Sequence, residues 1–402
     1  MPPLSGVNVV EVSMWAFVPS CGAVLADWGA TVTKVEPPSG DPIRSLTMAT
    51  IPPGYNGITY MWEIFNRGKR GVALDLRSPE SSAILHRLVE GADVFLVSLL
   101  PDTRRELRID AETIRRVNPR IVYASGSGQG PAGPDAGRPG YDAMTFWARG
   151  GVSAAVTPDG YAHPIGMPVG AFGDCLSGAL LAGGIAAALV HRLRTGEGSV
   201  VDGSLLGSAL WGMQAGVAGS ELLGIASLPK IKRGATGNPL VGMYRTADGR
   251  HIALNMLQPD RYWQPFCEAI GRKDLVDHPQ LGTAALRQAN IELCLSTLDE
   301  IFASRPLSEW RDLLARQPGQ WDVLQEMGEL GADEQAIANG YVQRVEYPEG
   351  HLTMVAAPVQ FDGKPPELVG APGLGADTDE VLAGIGLTEG EILQGRIDGY
   401  IG

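Results

Sequence analysis

Two kinds of segment alternate along the first 125 residues of the chain. Short apolar runs rich in β-branched residues occur at 8–12, 31–36, 71–76, 93–98 and 120–125. Stretches of helical character lie between several of these runs, at 19–28, 79–91 and 110–118. Strands that alternate with helices are typical of β-α-β units and of a parallel sheet covered by helices. The sequence therefore predicts an α/β protein.

A stretch rich in Gly, Pro and Ala at 126–173 interrupts this alternation, and an irregular segment of that kind is typical of a loop that forms a site. A helix is predicted next, over 175–194, because apolar residues recur there every four positions on one face. Its apolar part is shorter than the ~20 residues of a membrane span, which favours a buried helix. Further on, the pattern predicts a helix over 211–228, a hairpin that turns at Asp248-Gly249, and a short helix over 378–385.

The composition disfavours several classes of protein and site. A net charge of −13 argues against nucleic-acid binding, which usually needs a basic groove. The four cysteines are scattered and the six histidines show no ligand spacing, so we expect neither a disulfide framework nor a metal site. No signal peptide or targeting signal is predicted. We expect a cytoplasmic protein that does not bind a membrane.

Asp174 is the first candidate for chemistry. It lies between Gly173 and Cys175, where the predicted helix starts. An aspartate in that place can simply cap the helix. A carboxylate beside helix N–H groups and a glycine is also anionic, fixed and open to substrate, which suits a covalent nucleophile. The residues alone leave both interpretations open.

A group of basic residues is the second candidate. These residues follow predicted strands, where open α/β sheets bind ligands; they are Arg44, Lys69, Arg77, Arg104 and Arg105. Such residues are usually solvated surface charges. In an acidic chain, their grouping also favours a ligand with several phosphates. The common nucleotide and hydrolase motifs GxGxxG, the Walker loop, HExxH and GxSxG do not occur at the expected places.

Several long segments make the chain resemble a known family. They run from GVNVVEV and LADWGATVTKVEPPSGDPIR through NRGKRGVALDL and GRPGYDA to GDCLSGALLAGGIAAALVHRLRTGEGSVVDGSLL. With these segments the sequence resembles the class III CoA-transferases, the family of formyl-CoA transferase, carnitine CoA-transferase and α-methylacyl-CoA racemase. The similarity covers nearly the whole chain.

The resemblance implies a fold. A Rossmann-like large domain is built from both chain ends, a small α+β domain is inserted between them, and two subunits form an interlocked homodimer. The implied bounds in this sequence are 1–205 for the first part of the large domain, 206–230 for a linker helix, 231–330 for the small domain, and 331–402 for a connector and the return to the large domain.

The resemblance also implies a mechanism. In the transferases, the aspartate that matches Asp174 attacks the acyl-CoA thioester, which gives a mixed anhydride and releases CoA. CoA then returns to form an aspartyl-CoA thioester, and the acceptor acid attacks it. Backbone N–H groups near Asp174, and a loop that matches Gly234 and Gly237, are expected to stabilise the oxyanions. Coenzyme A is thus expected as part of the substrate, with no permanently bound cofactor.

The positions that match CoA contacts of the family depart from its pattern in part. An Asn-Phe pair is replaced by Ser98-Leu99, an Arg by Glu106, and a Gln that touches the small acid by Ala16. Trp15 and Phe17, on either side of Ala16, indicate either an apolar acyl pocket or core packing. The residues expected to contact CoA are Ala16, Arg44, Lys69, Leu74, Arg77, Ser98, Leu99, Arg104, Arg105, Tyr141 and Asp142.

Three functions remain in competition. The first is CoA transfer from an acyl-CoA to a carboxylic acid, between two molecules or within one diacid. The second is 2-methylacyl-CoA epimerisation, but this chain has Tyr141 and Gln258 where the racemase branch has a His and a Glu, and proton exchange needs groups that titrate. The third is acyl-CoA binding without turnover. The motifs favour the transferase.

Overall fold

The computed structural model describes residues 1–46, 58–230 and 232–402. Within these ranges the chain forms two compact units. The larger unit contains Met1–Leu228 and Gly331–Gly402, and the smaller unit contains Pro229–Leu330. Both ends of the chain therefore contribute to the larger unit.

A six-stranded parallel sheet lies at the centre of the larger unit. Its strands are β1 (Asn8–Val12), β2 (Thr31–Glu36), β3 (Arg70–Ala73), β4 (Val94–Val97), β5 (Val122–Ser127) and β6 (Val200–Ser204). They lie in the order β3-β2-β1-β4-β5-β6, which is the order of a doubly wound dinucleotide-binding sheet. The predicted parallel α/β sheet is confirmed. The order reverses between β1 and β4, and the loops that leave their carboxyl ends diverge there.

Helices lie between these strands and after the last of them in the first 228 residues. They are α1 (Phe17–Asp27), α2 (Tyr60–Asn66), α3 (Pro79–Glu90), α4 (Pro101–Glu106), α5 (Ala111–Val117), α6 (Val152–Val156), α7 (Phe172–Thr195), α8 (Leu205–Gly212) and α9 (Gln214–Leu223). Short 3-10 and π-helices cover Pro42–Ser45 and Ala143–Arg149. Helices α3 and α5 start in the ordinary way, because Ser78 and Asp110 accept N–H groups of their first turns.

The smaller unit packs helices against an antiparallel sheet. Its elements are β7 (Val241–Arg245), β8 (His251–Asn255), α10 (Pro259–Ala269), α11 (Ala284–Ala289), α12 (Ile291–Phe302), α13 (Leu307–Leu314), β9 (Trp321–Val323) and α14 (Met327–Leu330), with a 3-10 helix at Lys273–Leu275. Strands β7 and β8 form the predicted hairpin around Asp248-Gly249. Tyr244, Phe266, Phe302 and Trp310 form the aromatic centre of this unit.

The last part of the chain returns to the larger unit. It comprises α15 (Glu334–Ala338), β10 (Val342–Tyr347), β11 (Gly350–Val355), α16 (Thr378–Gly384) and α17 (Glu389–Ile397). Strands β10 and β11 form an antiparallel hairpin. Helix α17 begins with a capping box between Thr388 and Glu391. The predicted helix near the end of the chain, over 378–385, is confirmed as α16.

Successive residues of the central strands β1 and β4 point to opposite faces of the sheet and belong to two different hydrophobic cores. Val9 and Val94 point toward α1 and α7, where Leu181 and Ile185 are buried. Their neighbours Val10 and Phe95 belong to the opposite core, which α3, α5, α16 and α17 cover. This alternation follows from the two-residue period of a strand and places α7 on one face of the sheet.

Three expectations about the elements are wrong in detail. The helix predicted over 211–228 is two helices, α8 and α9, which break at Met213 directly after a glycine, the poorest helix former apart from proline. The irregular stretch 126–173 contains the π-helix and α6. The strand predicted over 71–76 ends at Ala73, where the chain turns toward α3.

Helix α7 is buried along one side only. Leu181 and Ile185 lie in the core, but Leu176, Leu180 and Val190 are exposed, so the predicted burial applies to one side of the helix. Among the described residues, α7 is long and apolar enough to cross a membrane by length and composition, and 44% of its most apolar window is buried. Burial of one side is what a core helix of a soluble protein shows as well.

Candidate active site

Asp174 lies in the first turn of α7, but it is not the cap of that helix. The helix begins at Phe172, the N-cap is Ala171, and Asp174 is the third helical residue. Ala171 has no side chain that accepts a hydrogen bond. The interpretation of Asp174 as an N-cap is therefore wrong. The side chain of an N-cap residue accepts N–H groups of the first helical turn, and in α7 that position is occupied by Ala171.

Asp142 caps α7 from a distant part of the chain. Its Oδ2 accepts the N–H of Gly173 at 2.8 Å and the N–H of Asp174 at 3.4 Å. Asp142 is 5% exposed, and its Oδ1 has no hydrogen-bond partner among the described residues. The helix start thus obtains from Asp142 the acceptor that Ala171 lacks.

Three N–H groups at the start of α7 already have acceptors within the protein. Asp142 takes those of Gly173 and Asp174, and the carbonyl of Ala171 accepts the N–H of Cys175 at 3.0 Å. The expectation that backbone N–H groups next to Asp174 stabilise an oxyanion is therefore wrong for these three groups. A donor that already has a strong acceptor is not available to a developing charge.

The electrostatics of Asp174 differ from those of an ordinary aspartate. Burial raises its pKa to about 7, and the negative charge of Asp142 contributes to the rise. Burial also raises the pKa of Asp142, against the effect of the N–H groups that it accepts. A carboxylate with a pKa near 7 is more basic than usual and is still partly ionised at neutral pH, which suits a nucleophile.

A cavity of about 490 Å³ opens at the carboxyl ends of the strands, where the sheet order reverses. Residues that follow β1 and β4 line it, together with the ends of β5 and β6 and the stretch before Asp142. It brings together four of the residues predicted to contact CoA, namely Ser98, Leu99, Arg104 and Tyr141. Trp15 also lines it, and its ring meets that of Tyr141 edge to face at 5.8 Å.

The walls of this cavity are fixed by hydrogen bonds. The Oγ of Ser98 accepts the N–H of Met14 at 3.0 Å, which ties the loops after β1 and β4 together. The Nε of Arg104 donates to the carbonyl of Leu99. Tyr141 is 55% exposed, lines the cavity and directly precedes Asp142 in the chain, whereas Asp142 and Asp174 are not among the residues that line it.

Lys69 and Leu74 do not present their side chains to a ligand. The Nζ of Lys69 is buried and donates to Glu11, Asn66 and the carbonyl of Pro19 at 2.9 to 3.0 Å. Burial lowers the pKa of Lys69 to about 8, although Glu11 opposes this effect. Leu74 is fully buried in the core below β3. The prediction that the side chains of Lys69 and Leu74 contact CoA is therefore wrong. The ammonium group of Lys69 already has three hydrogen-bond acceptors, and Leu74 has no exposed surface.

The other predicted basic residues have acidic partners of their own. Arg44 binds Glu36 through Nε and Nη2 at 2.8 Å and stacks on the ring of Trp62. Arg77 and Arg105 are exposed and pair with nearby aspartates, Asp75 and Asp102. Ala16 is buried in the apolar cluster that contains Ala171. Of the five predicted cations, only Arg104 lines the cavity.

Several residues of the cavity were not predicted from the sequence. Arg138 lines it, as do Ser125 and Asp202, and the hydroxyl of Ser125 donates to Asp202 at 2.5 Å. Ser125 and Asp202 are paired on β5 and β6. Parallel sheets bind ligands at the carboxyl ends of their strands, so polar residues in the later part of these two strands could have been predicted to line the site. Phe17, by contrast, is a core residue that packs with Val18 against Gly126, where an added Cβ would overlap Cγ2 of Val18 and lie 2.9 Å from Cε1 of Phe17.

The smaller unit contains the predicted glycine loop. Gly234 and Gly237 have φ values of 81° and 65°, and a Cβ on Gly237 would lie 2.7 Å from Cγ of Gln288. Glycine is therefore required at 237 by backbone and space. Gln258 is the N-cap residue of α10, and its Oε1 accepts from Arg261. The predicted role of this loop in oxyanion binding stays a prediction.

Among the described residues, no group of three or more His, Cys, Asp or Glu side chains could hold a metal ion. The reactive group that the site offers is the carboxylate of Asp174, whose pKa is raised by burial and by the charge of Asp142.

A model of one protein family matches residues 4–378 of the chain, and this family is CoA-transferase family III. Two similar proteins cover almost the whole length. The (R)-2-hydroxy-4-methylpentanoate CoA-transferase of Clostridioides difficile is 32% identical over 97% of this chain and 97% of its own. The cinnamoyl-CoA:phenyllactate CoA-transferase of Clostridium sporogenes is 31% identical over 96% of this chain and 94% of its own.

Solved structures show the same fold. A CaiB/BaiF family protein from Brucella suis superimposes with a TM-score of 0.81 at 25% identity, over 95% of this chain and 99% of that one. A hypothetical protein from Mycobacterium tuberculosis superimposes with a TM-score of 0.78 at 27% identity, again over 95% and 99% of the two chains.

Proposed function

The chain belongs to the class III CoA-transferases, and from this we propose that Asp174 is the residue that carries the acyl group during transfer. One observation carries the proposal: burial and Asp142 raise the pKa of Asp174 to about 7 in the first turn of α7. A carboxylate without a cationic partner gains most when it is converted to a neutral ester or anhydride, since the cost of its buried charge is then removed.

The first half of the reaction consumes the donor. An oxygen of the Asp174 carboxylate attacks the carbonyl carbon of the acyl-CoA thioester, the C–S bond breaks, and CoA leaves as a thiolate. The product is a mixed anhydride between Asp174 and the acyl group. The thiolate then attacks the aspartyl carbonyl of the anhydride, which gives an aspartyl-CoA thioester and releases the donor acid as a carboxylate.

The second half reverses these steps with another acid. The acceptor carboxylate attacks the aspartyl-CoA carbonyl and expels CoA thiolate, which forms the mixed anhydride of the acceptor. The thiolate attacks the acceptor acyl carbon, and the new acyl-CoA leaves while Asp174 regains its carboxylate. No step needs a net proton, which fits a site in which the neighbouring carboxylate, Asp142, already accepts two N–H groups.

We propose that CoA binds along the cavity at the carboxyl edge of the sheet. Arg104 and Arg138 line this cavity, and guanidinium groups suit the phosphates of CoA. Tyr141 lines the cavity and is the chain neighbour of Asp142, which accepts the N–H of Gly173 in the first turn of α7, so in this proposal the thioester end of the ligand lies near Tyr141.

An apolar acid is the proposed acceptor. Trp15 and Tyr141 form an aromatic part of the cavity wall, where their rings meet edge to face at 5.8 Å. The two similar transferases named above act, by name, on a branched and an aromatic 2-hydroxy acid. Acids with a branched or aromatic side chain therefore fit this wall better than oxalate.

A homodimer in the cytoplasm is the proposed form of the enzyme. Exposed apolar residues on α7, α8 and α9, among them Leu180, Val190, Trp211 and Leu222, form more apolar surface than an isolated subunit usually exposes. A second copy of the chain is the partner that would cover them.

The experiment that tests the covalent role uses Asp174→Ala and Asp174→Asn. We expect both variants to bind acyl-CoA and to lose CoA transfer by at least about 10³-fold, because neither side chain can form an anhydride. Mass spectrometry of the wild-type enzyme after brief exposure to acyl-CoA should show an acyl or CoA adduct on the peptide with Asp174. Transfer that survives in Asp174→Ala would contradict the proposal.

A further inference from the structure

The N-cap residue of α7 has a left-handed backbone conformation. Ala171 has φ 63° and ψ 24°. A residue with a Cβ is less stable in this conformation than glycine, because the Cβ crowds the neighbouring carbonyl. Among the described residues, the chain places a non-glycine residue at positive φ at four positions, which are Trp15, Arg108, Ala171 and Asp362.

The surroundings of Ala171 hold it in this conformation. It is 7% exposed and belongs to an apolar cluster with Ala16, Trp62 and Phe65. Its carbonyl accepts the first hydrogen bond of α7, from the N–H of Cys175 at 3.0 Å. A strained backbone persists only where the structure around it over-determines it, and such residues concentrate at functional sites.

Glycine would satisfy the same backbone with less strain. Gly170 precedes Ala171, so a glycine at 171 would put two flexible residues in succession before α7. A Cβ at 171 removes many conformations of this junction and anchors it in the apolar cluster. Asp174 follows three residues later, so the torsions of Ala171 set the direction of the turn that carries the carboxylate.

We propose that Ala171 is a positioning residue for Asp174. Its methyl group restricts the junction before α7 and holds the carboxylate in the orientation from which it attacks the thioester. The inference rests on the proposed function, in which Asp174 is the nucleophile. It implies that this alanine favours turnover at the expense of stability.

Ala171→Gly tests the inference. We expect kcat for CoA transfer to fall about tenfold, since small displacements of a reacting group are costly, while KM for acyl-CoA stays within about twofold. The melting temperature should equal or exceed that of the wild type, because the strain is relieved. Ala171→Ser keeps a Cβ and should retain kcat within about twofold of the wild type.

A matched control is Asp362→Gly, which relieves the same kind of backbone strain at φ 55° in an exposed loop. It should leave kcat unchanged. Three results would overturn the inference: kcat within twofold of the wild type in Ala171→Gly, an equal loss in Asp362→Gly, or an Ala171→Gly chain that folds less stably. An absent Asp174 adduct in the wild type would instead overturn the proposed function itself.

Discussion

At the scale of single residues, the site depends on the pairing of two carboxylates. Asp174 titrates near pH 7 because it is buried and because Asp142 is negative. Attack on a thioester requires the ionised form, so kcat/KM should rise with pH up to about 7 and then level off. Measurement of kcat/KM of the wild-type enzyme as a function of pH tests this rise directly.

Asp142→Asn should move the rise of kcat/KM to lower pH. The amide oxygen can still accept the N–H of Gly173, but the charge that raises the pKa of Asp174 is gone, so the nucleophile ionises at lower pH. Asp110→Asn is the control, since Asp110 also accepts an N–H at a helix start but belongs to α5. A rise at unchanged pH in Asp142→Asn would show that burial alone sets the pKa of Asp174.

Trp15 should decide which acyl groups are transferred. Trp15→Ala removes the ring that meets Tyr141 at the cavity wall, so kcat/KM for aromatic or branched acyl-CoA should fall about tenfold or more relative to acetyl-CoA. Trp211→Ala is the control, because this exposed ring does not line the same cavity. Equal losses for all acyl groups would assign Trp15 to folding rather than to selection.

The sequence shows some of these residues and not others. Asp174 could be found because a carboxylate between small residues at a helix start is a local pattern. The contact with Asp142 could not, since it joins positions 31 and 32 residues apart. The burial of Lys69 could not be predicted for the same reason. Its counter-ion, Glu11, is 58 residues away in the sequence, and a lysine side chain is normally solvated.

At the scale of elements, the close contact between helices α1 and α7 positions the nucleophile relative to the sheet. A Cβ on Gly178 would lie 2.7 Å from the Oγ of Ser20 and 2.8 Å from the carbonyl oxygen of Phe17. Because a backbone atom cannot move aside, Gly178→Ala should destabilise the protein by about 1–3 kcal/mol. Thermal or urea unfolding measures the change.

Gly183→Ala is the matched control on the same helix. Nothing lies within 4 Å of a Cβ there, so the alanine should stabilise the protein by up to about 1 kcal/mol through its better helix propensity. If both variants shift stability in the same direction, the contact between α1 and α7 is not as close as these distances indicate.

The elements themselves were predictable where their periodicity is local. The alternation of strands and helices in the first 125 residues gave the parallel sheet, whose order then follows from the connections. The break between α8 and α9 has only a single glycine as its local signal, and the π-helix before α6 carries no comparable pattern. Their positions depend on contacts such as that of the Gly150 backbone with Ala209, which only the packed structure supplies.

At the scale of the whole molecule, the exposed side of α7 predicts self-association. Leu193 is 85% exposed near the end of this helix, away from Asp174. Leu193→Glu should shift the enzyme from dimer to monomer in size-exclusion chromatography with light scattering, because a charge cannot be buried in an apolar interface. Leu393→Glu, on α17 and 60% exposed, is the control and should remain dimeric. A wild-type chain that elutes as a monomer would contradict the prediction.

The contact between Asp142 and α7 also limits how this enzyme can evolve or be redesigned. One carboxylate supports the helix start and sets the basicity of the nucleophile that the helix carries. A mutation that removes the whole acceptor group, such as Asp142→Ala, therefore changes the helix start and the basicity of the nucleophile together. Adaptation to acidic conditions at this position is open mainly to asparagine, which removes the charge and keeps an oxygen that accepts the N–H of Gly173.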